Sequence, residues 1–222
     1  MERVITRDGS PTLRSERWNC SFHSLHGAWT EAKHVYIEAG LAAYAKSEDQ
    51  KHISVVEMGA GTGLNALLAA EWANQHQRNV IYHGLDQALP SQEDWSSWWS
   101  ARPNESAALD DLALGLRSAW LQGRAFETEF FSGHFHLGAA QSWLAPNPAD
   151  VLFYDAFSTR QQPELWTSEA LAPWLQLLSP KGVLVTYCAT GEVFRRMQAL
   201  GFVTEHLPGP PGKREMLRAR RG

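Results

Sequence analysis

Short apolar runs alternate with longer segments of helical periodicity along most of the chain. The runs predict five strands, at residues 53–56, 79–86, 126–135, 150–155 and 182–187. The fourth run is apolar without a break from Val151 to Tyr154, which is typical of a central strand buried on both faces. Strands that alternate with helices in this way predict an α/β fold with a doubly wound, mostly parallel sheet.

Helical segments are predicted between these strands, from Leu64 onward and at residues 139–144, 166–178 and 193–200. Residues 90–118 predict helical cover with an insertion, broken at Pro103. The same segment contains three crowded tryptophans, which we interpret as core or lid residues rather than as a stacking platform: Trp95, Trp98 and Trp99.

The N-terminal part of the chain precedes the alternating pattern. Residues 1–20 are polar and predict an arm or short strands packed over the domain. Thr30 is predicted to cap a helix that contains Glu31 and His34 and leads towards the first strand. The chain is therefore predicted to form a single domain with an N-terminal extension over about residues 1–45.

The C-terminal part predicts an antiparallel hairpin, with strands at residues 202–207 and 215–219 joined by a turn rich in proline and glycine. Charge is segregated towards this end. From Lys181 onward there are eight Lys and Arg against three acids, a balance of +5, and the remaining residues carry twelve against twenty-one, a balance of −9. The basic segment suits a polyanion such as RNA, and a solvated surface is the alternative.

Composition narrows the class of protein. The chain of 222 residues is 44% hydrophobic with a net charge of −4, and no apolar run approaches the ~20 residues that cross a bilayer. We therefore expect a cytoplasmic protein that does not bind a membrane. Cys20 and Cys188 are predicted to be reduced and unrelated, and His134 and His136 lack a convincing ligand spacing, so no metal site is predicted.

A glycine-rich loop follows the first predicted strand. Glycines occupy positions 59, 61 and 63, after an acid at Glu57 and before Asn65. A dinucleotide-binding loop would need glycine at position 64, which is Leu64. The spacing resembles the S-adenosylmethionine loop of class I methyltransferases, where glycines let the backbone approach the methionine part of the cofactor. A turn that only links strand to helix is the alternative.

Polar residues lie at the predicted carboxyl ends of the other strands. Asp86 ends the second strand, where a carboxylate can accept hydrogen bonds from both ribose hydroxyls. Gly133 and His134 are predicted to end the third strand, Asp155 the fourth and Tyr187 the fifth. In a doubly wound sheet these ends meet beside the ligand, so the sequence predicts one site there.

Five segments together resemble the methyltransferases that complete 5-methylaminomethyl-2-thiouridine at the tRNA wobble position: residues 23–37, 57–65, 154–158, 163–166 and 212–217. The resemblance implies a class I, Rossmann-like methyltransferase fold. In some members of that family the transferase is fused to a flavin-dependent oxidase, and this chain is expected to be a stand-alone transferase without the oxidoreductase domain.

The resemblance also implies cofactor, partner and residue roles. S-adenosylmethionine would be the cofactor and the tRNA anticodon loop the partner, with the oligomeric state left open. Asp155 would be the catalytic base that accepts the proton of the substrate amine. Cofactor binding is assigned to Glu31, Glu57, Gly59, Gly61, Gly63, Asn65, Asp86, Gly133 and Asp155. Substrate binding is assigned to Phe157, Tyr187, Lys213 and Arg214, although Phe157 is equally compatible with a core position.

Two departures and three alternatives accompany this interpretation. Gly133 and His134 stand where many class I enzymes carry an acid for the adenine amine, and Ala156 replaces a glycine found in some members. A small-molecule amine methyltransferase and an aminopropyltransferase would share the fold. A non-catalytic RNA-binding module would leave the glycine loop and Asp86 unexplained.

Overall fold

Strands and helices follow each other along residues 1–16, 18–48, 50–102 and 106–221, which the computed structural model describes. The strands are β1 Glu2–Ile5, β2 Pro11–Ser15, β3 Cys20–Ser21, β4 His52–Met58, β5 Asn79–Asp86, β6 Phe126–Glu127, β7 Phe131–Leu137, β8 Ala149–Tyr154, β9 Leu178–Thr186, β10 Phe202–Pro208 and β11 Glu215–Arg221. The α-helices are α1 Ala28–Ala32, α2 Ala43–Ser47, α3 Leu64–His76, α4 Gln92–Trp99, α5 Ala107–Leu121, α6 Ser168–Leu177 and α7 Gly191–Ala199. None of the helices in these ranges is long and apolar enough to cross a membrane.

A large sheet forms the centre of the structure, in the order β10-β11-β9-β8-β4-β5-β7-β6. Strands β4, β5, β7, β8 and β9 are parallel to their neighbours in this set, whereas β11 runs antiparallel to β9 and pairs with β10 as a hairpin. The predicted doubly wound sheet with a C-terminal hairpin is therefore confirmed. A smaller antiparallel sheet, β1-β2-β3, packs on α4.

Side chains of the central strands alternate between two hydrophobic layers, because successive residues of a strand point to opposite faces. On β4, Ile53 and Val55 join the layer that includes α3 and α5, and Val56 and Met58 join the layer that includes α6 and α7. Since both faces of the sheet are covered, the carboxyl ends of its strands remain as the place for a ligand.

A π-helical segment, Lys33–Ala42, joins α1 to α2, and we call the continuous helix of residues 28–47 the N-terminal helix. It packs on β8, β9 and α3. The predicted cap at Thr30 is wrong. The N-cap is Gly27, and Thr30 lies in the first turn, where its N–H and hydroxyl both donate to Asp8 Oδ2 at 3.0 and 2.7 Å.

Serine and threonine caps begin the other helices that flank the sheet ends. The side chains of four residues each accept an N–H from the first turn of α4, α5, α6 and α7: Ser91, Ser106, Thr167 and Thr190. Such a bond satisfies one of the backbone donors that a helix start leaves free. Local sequence therefore sets where these four helices begin.

The third predicted strand is wrong in its extent. Residues 126–135 form two strands, because a turn after β6 brings Phe126 opposite Gly133 in an antiparallel pair with β7. The hydroxyl of Thr128 accepts the N–H of Phe131 at 3.1 Å inside that turn. The predicted helix at residues 139–144 is only the 3-10 turn Ala140–Ser142. The predicted break at Pro103 lies outside the described residues.

The tryptophans of α4 are core residues, as predicted. Trp95, Trp98 and Trp99 are all buried and their rings contact one another. Trp98 also donates from Nε1 to the carbonyl oxygen of Pro11 at 2.9 Å, so α4 is fastened to β2. This contact holds the small sheet against the rest of the protein.

Replacing Trp98 by alanine should destabilise the fold. Trp98 is 2% exposed, and removing a buried aromatic side chain typically lowers the free energy of unfolding by about 3–5 kcal/mol. Urea unfolding followed by circular dichroism measures the change. Leu144→Ala is the matched control, because Leu144 is 90% exposed and should change stability by less than about 0.5 kcal/mol. Equal stability of the two variants would contradict this account of the core.

Candidate functional site

A cavity of about 210 Å³ opens at the carboxyl ends of β4, β5 and β8. Strand order reverses here, since the chain continues from β4 to β5 on one side and later places β8 on the other. Two backbone bonds fix the edges of the cavity: Gly59 N–H donates to Leu85 O, and Asp155 N–H donates to Met58 O, both at 2.9 Å. The strand pattern alone therefore places the site.

The glycine loop forms one wall of the cavity. Gly59 and Gly61 line it, with φ of +95° and +52°, and Gly63 precedes α3. A Cβ atom on Gly59 would lie 2.4 Å from the carbonyl oxygen of Asp155, so a side chain there cannot be accommodated. Positive φ and close approach together require glycine, and they leave bare backbone facing the cavity.

Asp86 lies beside the glycine loop and lines the same cavity. One carboxylate oxygen accepts the N–H of Gly61 at 2.8 Å, and the other accepts that of Gln87 at 2.7 Å and, more weakly, that of Ala88 at 3.4 Å. Burial raises the pKa of Asp86, and these three N–H bonds oppose the rise. A carboxylate has about four acceptor positions, so Asp86 can still accept from a hydroxyl in the cavity.

Glu57 lies beneath the loop and is fully buried. Its Oε1 accepts from Asn65 Nδ2 at 2.6 Å, and its Oε2 accepts from the hydroxyl of Tyr82. Burial raises the pKa of Glu57 to about 8, and the nearby charge of Asp155 adds to the rise. Its known partners are thus protein groups that hold the end of β4.

Asp155 follows β8, lies beside Gly59 of the glycine loop and lines the same cavity. The hydroxyl of Tyr36 donates to its Oδ1 at 2.6 Å, and Nδ2 of Asn65 donates to its Oδ2 at 2.9 Å. Burial raises the pKa of Asp155 to about 7, while these two hydrogen bonds limit the rise. A carboxyl group with such a pKa can accept or release a proton near neutral pH.

Tyr36 is a site residue that the sequence analysis did not single out. It lies in the π-helical segment of the N-terminal helix, and short π-helical stretches occur frequently at functional sites. Its side chain is buried and also packs on the ring of Phe153. No local pattern marks it, because its contact with Asp155 spans 119 residues of sequence.

Gly133 and His134 do not lie at a strand end, so this prediction is wrong. Gly133 is in the middle of β7, where it pairs with Tyr82 of β5. The Phe131 ring fills the space that a side chain at position 133 would need. The true end of β7 brings Gly138 to the cavity instead. The prediction was wrong because the chain breaks between β6 and β7. The end of the long strand is therefore at Leu137, further along the chain than predicted.

Lys213 and Arg214 differ in their surroundings. The Lys213 side chain turns inward, forms an ion pair with Glu31 and lies over the ring of Tyr187, with Nζ 3.8 Å from the ring centroid. The side chain of Arg214 is 92% exposed. Of the two predicted phosphate contacts, Arg214 therefore lies at the surface. Lys213 is partly buried in an ion pair with Glu31.

Phe157 belongs to an aromatic wall of the cavity, formed with Trp18 and Phe22. The ring centroids of Phe157 and Phe22 are 5.5 Å apart in an edge contact, and those of Phe157 and Trp18 are 6.1 Å apart. All three side chains are only partly buried, so Phe157 lies at the edge of the cavity rather than in the core. Flat rings at a cavity can pack on a base.

Among the described residues, no group of three or more His, Cys, Asp and Glu side chains is arranged to hold a metal ion. Cys20 and Cys188 are free thiols. The polar side chains that line the cavity include the carboxylates of Asp86 and Asp155, the amide of Asn65 and the imidazole of His23, which suit hydrogen bonding and proton transfer.

Comparison with known proteins finds one matching family and several similar proteins. Residues 126–222 match a family described as S-adenosyl-L-methionine-dependent methyltransferase. The chain is 30% identical to the tRNA 5-methylaminomethyl-2-thiouridine biosynthesis bifunctional protein MnmC of Azoarcus sp. strain BH72, over 97% of this chain and 35% of that protein. The protein of the same name from Magnetococcus marinus is 34% identical over 87% of this chain and 30% of its own length. The chain thus spans about a third of these relatives.

Solved structures support the fold. The crystal structure of MnmC2 from Aquifex aeolicus superposes with a TM-score of 0.81 and 24% identity, over 98% of this chain and 69% of that one. CalS10, an S-adenosylmethionine-bound amino pentose methyltransferase from Micromonospora echinaspora, superposes with a TM-score of 0.52 and 13% identity, over 88% and 92%. At these identities the likeness concerns the fold, which is that of class I methyltransferases.

Glu57→Gln should flatten the dependence of stability on pH. In the folded protein the pKa of Glu57 is about 8, above the usual 4.5, so the folded state binds this proton more tightly than the unfolded state. Its contribution to stability is present below about 4.5 and is lost as pH rises towards 8. The free energy of unfolding should therefore fall by up to about 1.4 kcal/mol per pH unit in wild type relative to the variant.

Urea unfolding of both proteins at pH 5, 6.5 and 8 measures this difference, in which the contributions of the histidines cancel. A difference that does not change with pH would show that Glu57 is ionised in the fold.

Proposed function

We propose that the chain is an MnmC-type methyltransferase-domain protein among the S-adenosyl-L-methionine-dependent methyltransferases, and that it methylates the amine of 5-aminomethyl-2-thiouridine at the tRNA wobble position. The observation that carries the proposal is Asp155, held by Tyr36 and Asn65 at the edge of the cavity that the glycine loop lines. The relatives are named for the synthesis of 5-methylaminomethyl-2-thiouridine. A methyltransferase can supply the methyl group on the amine of that nucleoside.

The residues of the cavity fit the cofactor. Gly59 and Gly61 line the cavity with backbone alone, and Asp86 keeps acceptor capacity for ribose hydroxyls. When bound, S-adenosylmethionine supplies an electrophilic methyl group. Gly63 and Asn65 hold the loop and its acids in place, the former before α3 and the latter through its bonds to Glu57 and Asp155.

Asp155 is suited to prepare the nucleophile. An alkylamine is mostly protonated at neutral pH, and it must lose a proton before its nitrogen can attack. Because the pKa of Asp155 is about 7, a useful fraction of the carboxyl group is ionised and can accept that proton. Tyr36 and Asn65 occupy one acceptor position on each oxygen, so they fix the direction in which the remaining lone pairs point.

Binding of tRNA is supported by the surface near the cavity. Arg214 projects from the turn between β10 and β11, and its exposed guanidinium, which lies 3.7 Å from Oε1 of Glu215, can approach a phosphate. The aromatic wall, with Phe157, can pack on a base of a single-stranded loop. A tRNA substrate would place the protein in the cytoplasm.

Asp86→Ala should weaken the binding of S-adenosylmethionine. The change removes the acceptor for ribose hydroxyls and also frees the N–H of Gly61. Loss of hydrogen bonds to a charged group of about 1.5–3 kcal/mol predicts a dissociation constant roughly 10- to 100-fold higher, measured by calorimetry. Asp86→Asn keeps one oxygen for Gly61 and should lose less. Unchanged affinity in folded Asp86→Ala would contradict the assignment of this cavity.

Mass spectrometry of tRNA nucleosides tests the function itself. Wild-type protein incubated with S-adenosylmethionine and tRNA carrying the aminomethyl group should produce the methylaminomethyl nucleoside. Asp155→Asn keeps the shape but cannot accept a proton, so kcat should fall roughly 100-fold or more, with part of the loss recovered in alkaline buffer. Cofactor affinity should stay within about threefold.

Two results would overturn the proposal. Wild-type protein that methylates free amines but leaves this tRNA unmodified would point to a small-molecule methyltransferase. Single-turnover rates of Asp155→Asn near those of wild type at pH 7 would remove Asp155 from the proton-transfer step.

A further inference from the structure

The turn between β10 and β11 contacts the N-terminal part of the chain on one side, while Pro211, Gly212 and Arg214 are exposed on the other. At Gly212, a Cβ atom would lie 2.1 Å from Cγ of His26, so the turn touches the segment that leads into α1 directly. The next residue, Lys213, keeps only 28% of its side chain exposed. Lys213, which the sequence predicted as a phosphate contact at the surface, is therefore partly buried.

Lys213 connects two other parts of the chain. Its ammonium group pairs with Glu31, a carboxylate that also accepts the N–H of Ser24 at 3.1 Å. The same ammonium lies over the Tyr187 ring, whose hydroxyl donates to the carbonyl oxygen of Ala156 at 2.9 Å. Since Ala156 follows Asp155, one side chain links the hairpin, the N-terminal helix and the loop after β8.

The charges of this ion pair act on Asp155 in opposite directions. Lys213 lowers the pKa of Asp155 and Glu31 raises it. The other ionisable or hydrogen-bonding groups that face Asp155 come from the N-terminal helix, β4, α3, β5 and the end of β9: Tyr36, Glu57, Asn65, Tyr82 and Tyr187. None of these five groups is a cation, so the positive charge near Asp155 comes from Lys213.

We propose that Lys213 is a positioning residue for methyl transfer, which holds the loop after β8 through Tyr187 and places a positive charge near the carboxylate of Asp155. The charge favours an ionised Asp155 before the protonated substrate arrives, and Glu31 sets the position of the ammonium group. The inference rests on the proposed function, because it concerns the base of that reaction.

Three variants separate this role from a purely structural one: Lys213→Met, Glu31→Gln and the double variant. Lys213→Met should raise the pH at which Asp155 ionises, Glu31→Gln should lower it, and the double variant should lie between them. The double variant also guards against misfolding, because it leaves no unpaired charge in the interior. Loss of packing alone would move the two single variants in the same direction.

The ionisation of Asp155 is measured by carboxyl ¹³C NMR, with its resonance assigned by its absence in Asp155→Asn. Single-turnover methylation of aminomethyl tRNA is then followed from pH 6 to 9 with saturating S-adenosylmethionine. From a pKa of about 7, a rise of one unit lowers the ionised fraction at pH 7 roughly fivefold, so Lys213→Met should be slowed by that factor and recover at high pH. Lys213→Arg should restore the profile.

Lys181→Met is the matched control. Lys181 forms a more exposed ion pair with Glu48 at 2.9 Å, in the N-terminal half of β9 and away from the cavity, and its loss should move neither the titration nor the rate. Arg214→Ala is the reference for loss of a phosphate contact, which should raise the KM for tRNA and flatten the salt dependence of binding.

The outcomes distinguish the inference from the function on which it rests. An unmoved Asp155 titration in Lys213→Met, with a higher tRNA KM and a flatter salt slope, would make Lys213 a phosphate contact and overturn the inference alone. A shifted titration in a protein whose wild type does not methylate tRNA would overturn the proposed function and keep the electrostatic role of Lys213.

Discussion

One amide group holds the two central acids of the site together. Nδ2 of Asn65 donates to Glu57 on β4 and to Asp155 after β8, so the carboxyl groups of adjacent strands share a donor. Burial raises the pKa of both carboxyl groups, and the charge of Asp155 raises that of Glu57 further. Burial at the end of β8 brings the pKa of Asp155 close to neutral, and Asn65 can hold it beside Glu57 because β4 and β8 are neighbours.

The fold supplies the remaining parts of the site from distant segments. Reversal of strand order between β4 and β8 opens the cavity, and the N-terminal helix crosses β8 and β9 to bring Tyr36 to Asp155. The hairpin beyond the parallel strands returns a charge to the same place through Lys213. The base of the proposed reaction is thus held by the first and last parts of the chain as well as by the sheet.

Local patterns were enough to predict the sheet and the two acids that end its strands. Asp86 and Asp155 follow apolar runs whose lengths are unambiguous, so their positions at the cavity could be predicted from the sequence alone. Gly133 could not be placed, because the polar turn after Phe126 contains apolar residues that continue the alternation of a strand. Tyr36 and the inward turn of Lys213 depend on contacts across more than 100 residues, which no local pattern encodes.

The π-helical segment makes the length of the N-terminal helix as important as its composition. Each residue of a helix adds a fixed rotation about the helix axis, so deleting one residue from the ten of Lys33–Ala42 would rotate one end of the helix relative to the other. Glu31 lies before this segment and Tyr36 within it, and each reaches a different partner in the site. Changes of side chain on the outer face are compatible with both contacts, whereas an insertion or deletion would separate them, so natural variation along this helix should consist of substitutions rather than changes in length.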